Sequence, residues 1–194
     1  MTDPGRPPEP GPDGQLRCPW ALSAPEQLPY HDEEWGRPVR DDRGIFERLC
    51  LEAFQSGLSW LTILRKRDNF RRAFDGFVPE RVAGYDETDV RRLMQDAGIV
   101  RNFAKIEAAI GNARVIADWG QGFADLVLSF AEPEHPRPRS ATDFRPTTPG
   151  SIAMSKELKR HGIRFFGPTT AYAMMQAVGL VDDHLADCYV PSPG

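Results

Sequence analysis

Apolar residues recur at helical spacing through most of this chain, and this pattern constrains the fold more than any other feature of the sequence. In one segment Phe46, Leu49, Cys50 and Ala53 fall on a single stripe of a predicted helix. No segment alternates apolar and polar residues between turn signals, as the strands of a half-buried sheet would. The sequence therefore predicts an all-α fold.

Capping residues and helix breakers set the predicted ends of these helices. Asp42 is predicted to cap the first long helix, and Asp86 is predicted to cap a later one. Ser151 is predicted to cap a helix that stops at Gly162. Pro168 is expected in the first turn of the last helix, where a missing N–H group is tolerated.

The length of 194 residues favours one domain with a substantial core. Residues 1–15 are rich in proline and glycine and are predicted to form a disordered tail, which leaves residues 16–191 as the single folded domain. The formal net charge of −4 argues against a protein that coats nucleic acid through bulk positive charge. An enzyme acting on DNA stays possible if basic residues gather on one face.

The chain shows no run of apolar residues long enough to span a membrane and no signal-peptide pattern at its N-terminus. We therefore expect a cytoplasmic protein with no membrane partner, and we expect it to act as a monomer. Its three cysteines are widely spaced and odd in number, which indicates reduced thiols or metal ligands rather than a disulfide framework.

An imidazole and a thiol stand four residues apart at His184 and Cys188. On a helical turn this spacing places both side chains on one face, as a pair of metal ligands requires. Near the other end, Cys18 and His31 lie in a proline-rich stretch. The four together would have the composition of a closed structural zinc site that ties the chain ends together. A buried cysteine beside solvated histidines explains either pair alone, so the pattern leaves both interpretations open.

A glycine separates two predicted helices in the segment Ala97, Gly98 and Ile99. A tight hairpin there would expose backbone N–H groups at the start of the second helix. These groups, with Arg101 and Lys105, suit a DNA phosphate. The alternative is an ordinary helical hairpin in which the glycine serves only the turn.

Aromatic residues and a carboxylate cluster in two further segments. Tyr30, Trp35 and Trp60 offer flat faces on which a flipped base could stack, and Glu52 could read the edge of that base. An aromatic face and a buried carboxylate also suit a cationic base. However, Glu52 lies off the main apolar stripe of its helix, which favours a solvated side chain, and the tryptophans could equally belong to the core.

Five longer motifs, in their order and spacing, resemble the type I bacterial 3-methyladenine DNA glycosylase family. They are RCPW, YHDEEWG, LCLEAFQSGLSWLTIL, LMQDAGIVRNFAKIEAAIGNAR and FGPTTAYAMMQAVGLVDDH. The resemblance runs from about Leu16 to Tyr189. It implies a helix-hairpin-helix glycosylase fold with one structural Zn²⁺ held by Cys18, His31, His184 and Cys188.

The resemblance also implies roles for the residues of the base pocket. Tyr30 and Glu52 would hydrogen-bond the base, and Trp60 would stack on it, while the hairpin would anchor the DNA backbone. The sequence departs from the family pattern at Gln27, where some members carry an aromatic residue, and at residues 53–54. Both departures are expected to lie near the pocket.

The activity implied is base-excision repair of alkylated double-stranded DNA. The enzyme would hydrolyse the N-glycosidic bond of 3-methyladenine, with Glu52 and Tyr30 as the catalytic residues, and leave an abasic site. No lysine is placed to form a Schiff base, so the enzyme would be monofunctional. Two alternatives are a non-catalytic DNA- or RNA-binding adaptor that keeps the hairpin and the zinc, and a zinc hydrolase, which needs an open coordination position.

Overall fold

The computed structural model of this chain describes residues 6–192, apart from the side chain of Ala141. Helices dominate this part of the chain, which confirms the all-α prediction. The elements are β1 (Glu9–Pro10), β2 (Leu16–Arg17), α1 (Gln27–Pro29), α2 (Asp42–Gln55), α3 (Trp60–Ala73), α4 (Pro79–Ala83), α5 (Glu87–Gln95), α6 (Phe103–Trp119), α7 (Phe123–Leu128), α8 (Pro149–Arg160) and α9 (Pro168–Ala177). Among the described residues, no helix has both the length and the apolar character that crossing a bilayer requires.

Helix α2 lies at the centre of the hydrophobic core and packs against α3, α6, α7 and α9. Its fully buried side chains point in all directions around the helix axis, as Ile45, Phe46, Leu49, Leu51 and Phe54 show. Because residues 49–54 of α2 are buried on every side, a polar residue in this part of the helix, such as Glu52, is also drawn into the interior.

The N-terminal cap of α2 lies one residue before the predicted one. Asp41 is the cap, and its carboxylate accepts a hydrogen bond from the Gly44 N–H at 2.8 Å. Asp42, predicted as the cap, is instead the first helical residue. Its carboxylate accepts from the backbone N–H of Ala124 at 2.6 Å and so joins α2 to the start of α7.

The other predicted helix ends are confirmed in two cases and displaced in one. Asp86 caps α5, and Pro168 stands in the first turn of α9. Thr148, not Ser151, caps α8, because Pro149 already begins that helix. The Ser151 hydroxyl accepts from the Thr148 N–H at 2.9 Å, so the predicted cap is the second partner of a reciprocal pair.

Two short strands lie on either side of the predicted boundary between the tail, residues 1–15, and the folded domain. β1 lies in the predicted tail and pairs in antiparallel register with β2, which begins the predicted domain. The guanidinium of Arg17 explains this order, since it is buried and donates to the carboxylates of Asp13 and Asp32 at 2.6 and 2.9 Å. Residues 1–5 of the predicted tail lie outside the described residues.

Candidate active site and metal centre

Four buried side chains from the two ends of the chain meet at one point. Cys18 follows β2, His31 lies in the helical turn Tyr30–Glu34, and His184 and Cys188 follow α9. The ligating atoms of all four lie within 4.8 Å of one another. The structure therefore confirms that the predicted quartet comes together and links the N-terminal and C-terminal regions.

The distances among His31, His184 and Cys188 are close to the edges of a tetrahedral metal site. His31 Nε2 lies 3.2 Å from His184 Nδ1 and 3.5 Å from Cys188 Sγ. A tetrahedron with metal–nitrogen bonds of about 2.0 Å and metal–sulfur bonds of about 2.3 Å has edges of about 3.3 Å and about 3.5 Å. The remaining ring nitrogens face the Asp32 carboxylate at 2.8 Å and the Trp35 carbonyl at 3.2 Å. Such partners orient metal-binding histidines.

Beside this cluster lies a cavity of about 230 Å³. Its walls are formed by Trp20, Gln27, Tyr30, Trp35, Glu52, Gln55, Trp60, Ala173 and Gln176. The structure thus brings together all four residues predicted to bind a base. Sequence analysis did not single out Gln55, Ala173 and Gln176. The last two lie on α9, which reaches this cavity only through tertiary packing.

The aromatic walls of the cavity come from two separate parts of the chain. Tyr30 directly precedes the metal-cluster residue His31, whereas Trp60 is the first residue of α3, whose cap is Ser59. The ring centroids of Tyr30 and Trp60 are 5.0 Å apart. On the other side, Trp20 and Trp35 meet edge to face at 5.1 Å. The cavity is therefore bounded by aromatic rings in several orientations, as a site for a flat molecule requires.

Glu52 contributes the carboxylate of the cavity. Its side chain is 5% exposed and forms no hydrogen bond with any residue that the structure describes. Burial raises the pKa of this carboxyl to about 8, although the positive charge of Arg48 acts to lower it. Arg48 is itself paired with Glu34 at 3.1 Å, which limits how far it can lower the pKa of Glu52. A cation entering the cavity would supply the missing positive charge and favour the ionised carboxylate.

The predicted hairpin joins α5 to α6. The Gly98 N–H donates to the Asp96 carboxylate at 2.7 Å, which closes the turn. A Cβ atom on Gly98 would lie 2.8 Å from the same carboxylate, so a larger residue here would require that side chain to shift. Ile99 is buried beneath it, while Ala97 and Arg101 are exposed. The hairpin therefore presents Ala97 and the guanidinium of Arg101 to solvent.

Helix α3 holds this hairpin in place. Lys66 Nζ donates to the Ala97 carbonyl at 2.9 Å, and Asn69 Nδ2 donates to the Gly98 carbonyl at 3.2 Å. Because Trp60 begins the same helix, α3 connects the hairpin to one wall of the cavity.

The prediction that Lys105 contacts DNA is wrong. Its side chain is buried, and its ammonium donates to the carbonyls of Phe54 and Ser56 at 3.0 and 2.6 Å. These carbonyls lie at the C-terminal end of α2, where a positive charge is favourable. Arg101 and Lys105 both lie close to the hairpin in the sequence, but the first turn of α6 directs Lys105 inward.

A helical fold with this hairpin, and with an aromatic cavity around one buried carboxylate, defines the class of helix-hairpin-helix DNA glycosylases. Within that class, the sequence profile described as methyladenine glycosylase matches residues 20–191. The chain belongs to the methyladenine glycosylase family.

Individual relatives agree with this assignment. The chain is 45% identical over 177 residues to DNA-3-methyladenine glycosylase 1 of Escherichia coli (strain K12), covering 89% of this chain and 95% of the relative. A crystal structure of 3-methyladenine DNA glycosylase I, also 45% identical, superposes with a TM-score of 0.85 and covers 89% of this chain and 98% of its own. A variant of 3-methyladenine DNA glycosylase I in complex with 3-methyladenine, 34% identical, also gives 0.85, covering 92% and 98%.

Proposed function

We propose that this chain hydrolyses the N-glycosidic bond of 3-methyladenine in alkylated double-stranded DNA during base-excision repair. The observation that carries the proposal is Glu52, a buried carboxyl without a hydrogen-bond partner among the described residues, which lines an aromatic cavity. The relatives named above are 3-methyladenine glycosylases, and one of them is in complex with that base.

The cavity selects the base by its charge and its flat shape. Methylation at N3 makes the adenine nucleotide cationic, so aromatic faces and a carboxylate attract it more strongly than a neutral purine. Trp60 stacks on the base, Tyr30 and Glu52 recognise its edge, and Trp35 closes the far wall. Ordinary adenine brings no positive charge, so it would leave the Glu52 carboxyl buried without compensation.

The same arrangement promotes cleavage of the glycosidic bond. A base methylated at N3 leaves as a neutral molecule, so no general acid has to protonate it. The ionised Glu52 stabilises the positive charge that spreads over base and sugar as the bond breaks. Water then adds its hydroxyl to the sugar carbon and releases a proton, which yields the abasic site. Within residues 6–192, no lysine lines the cavity, which supports a monofunctional enzyme.

The hairpin serves as the anchor for the DNA backbone. The start of α6 is exposed, and its free N–H groups carry the partial positive charge of a helix N-terminus. Together with the side chain of Arg101, these groups bind a phosphate near the flipped nucleotide, while the turn of Ala97, Gly98 and Ile99 holds the start of α6 in position.

The quartet of Cys18, His31, His184 and Cys188 holds one structural Zn²⁺ in this proposal. Two thiolates and two imidazoles are the donor set of closed zinc sites, and four protein donors fill a tetrahedron. This arrangement supports a structural ion over the open site of a zinc hydrolase. When bound, the ion supplies folding free energy by joining the two chain ends.

The test is chromatographic identification of the base released from methylated duplex DNA by the purified protein. We expect 3-methyladenine to appear in solution while ordinary adenine stays in the DNA. Equal release of both bases, or of neither, would contradict the proposal. Salt-sensitive binding to duplex DNA without release of any base would instead favour the adaptor alternative.

A further inference from the structure

The amide of Gln27 is held in one orientation at the wall of the cavity. Gln27 is 8% exposed, and its Nε2 donates to the backbone carbonyl of Trp20 at 2.9 Å and to the Ser23 hydroxyl. A backbone carbonyl accepts hydrogen bonds and cannot donate them, so the amide nitrogen must face it. The amide oxygen of Gln27 therefore points away from these partners.

That oxygen is available to a ligand. Gln27 Oε1 accepts no hydrogen bond from the residues that the structure describes. The side-chain atoms that are fully enclosed and lack a partner belong to Arg48 and Trp60. The amide oxygen of Gln27 is not one of them, so it keeps some accessible surface. Since Gln27 lines the cavity, the accessible surface of this oxygen faces into it.

Gln176 is arranged in the same way on the opposite element, α9. Its Nε2 donates to the Asp183 carboxylate at 2.6 Å, and the Tyr172 hydroxyl donates to the same oxygen at 2.5 Å. The amide oxygen of Gln176 is thereby left for the cavity. Two amide oxygens beside Glu52, those of Gln27 and Gln176, are thus preorganised acceptors, and such acceptors favour a ligand edge that carries N–H donors.

We infer that Gln27 determines specificity by accepting a hydrogen bond from the exocyclic amino group of the bound base. This inference rests on the proposed function, because it requires a methylated purine in the cavity. Positive charge does not distinguish one 3-methylated purine nucleotide from another. An oriented acceptor does, because a purine with a carbonyl oxygen or only hydrogen at that position leaves Gln27 unpaired.

The test measures binding of free bases through quenching of tryptophan fluorescence, since three of the four tryptophans line the cavity. The two probes are 3-methyladenine and 3-methylpurine, which lacks the amino group. For Gln27→Met we expect a loss of about three-fold to ten-fold in affinity for 3-methyladenine, the usual effect of one neutral hydrogen bond. Affinity for 3-methylpurine should stay within about two-fold. Gln121→Met, the same change at an exposed loop position, is the matched control.

The outcomes separate three cases. If Gln27→Met lowers the affinity for both bases equally, Gln27 only shapes the cavity. If it lowers neither affinity, Gln27 does not touch the base. Either result overturns the inference. The unmodified protein provides an independent test that does not depend on the variant folding, because it must bind 3-methyladenine more tightly than 3-methylpurine. Release of 3-methyladenine from methylated DNA with no such preference would refute this inference and leave the proposed function standing.

Discussion

The Glu52 carboxyl combines burial with an empty space in front of it, and both properties bear on activity. Replacing it by glutamine keeps the shape and removes the negative charge that develops when a cation binds. We expect Glu52→Gln to slow release of 3-methyladenine from methylated DNA by at least about ten-fold, through lost charge stabilisation. Glu134→Gln, at an exposed loop position, controls for the loss of a charge. Unchanged activity of Glu52→Gln would remove this residue from the mechanism.

The same carboxyl makes stability depend on pH in a direction that is unusual for an acid. Its pKa in the folded protein is about 8, against an ordinary value of 4.5. Between these values the folded state holds a proton that the unfolded state has released, so stability falls as pH rises through this window. We expect the melting temperature to drop less from pH 5 to pH 8 in Glu52→Gln than in the unaltered protein. Identical slopes would contradict the assigned shift.

At the scale of elements, the turn between α2 and α3 presents an apolar residue next to the cavity. Gly57 has φ of 83°, and Leu58, which follows it, is 43% exposed and stands two residues before Trp60. When a nucleotide leaves the duplex, an apolar side chain at this place can fill the gap between base steps. The turn is therefore a candidate for the wedge that stabilises the flipped nucleotide.

We expect Leu58→Ala to reduce cleavage of methylated duplex DNA by about five-fold or more, because the gap stays unfilled and base flipping costs more. Binding of free 3-methyladenine should not change, since Leu58 does not line the cavity. Ile152→Ala, at a similarly exposed position on α8, is the control. An equal loss in both assays would indicate damage to the cavity rather than loss of a wedge.

Local signals in the sequence predicted elements well, and they predicted side-chain surroundings poorly. The cap at Asp86 depends only on its own turn and was correct, whereas Ser151 was displaced because an equally suitable residue precedes it. For Glu52, periodicity could not tell a solvated face from one covered by other helices. Periodicity fails for the same reason at Lys105, whose partners come from the end of α2, and at Gln176, which only tertiary packing brings to the cavity.

At the scale of the whole molecule, the metal cluster and the cavity form one continuous structure. Tyr30 precedes the ligand His31, and the carbonyl of Trp35 lies 3.2 Å from the ring of His184. The Asp183 carboxylate that orients Gln176 directly precedes the same ligand. One side of the cavity therefore depends on segments that the cluster holds together, while α2 and α3 form the other side.

This dependence predicts that removing the metal abolishes base binding and stability together. Chelation should lower the melting temperature by about 6–20 °C, since about 1 kcal/mol shifts a domain of this size by about 2–4 °C and the expected loss is about 3–5 kcal/mol. Binding of 3-methyladenine, followed by tryptophan fluorescence, should be lost with it, and added Zn²⁺ should restore both. Cys188→Ala should abolish zinc binding in metal analysis, whereas Cys50→Ala, at a buried thiol outside the cluster, should retain one ion per chain. Loss of activity at an unchanged melting temperature would instead place the ion in the reaction, because an open catalytic site can lose its metal while the fold survives.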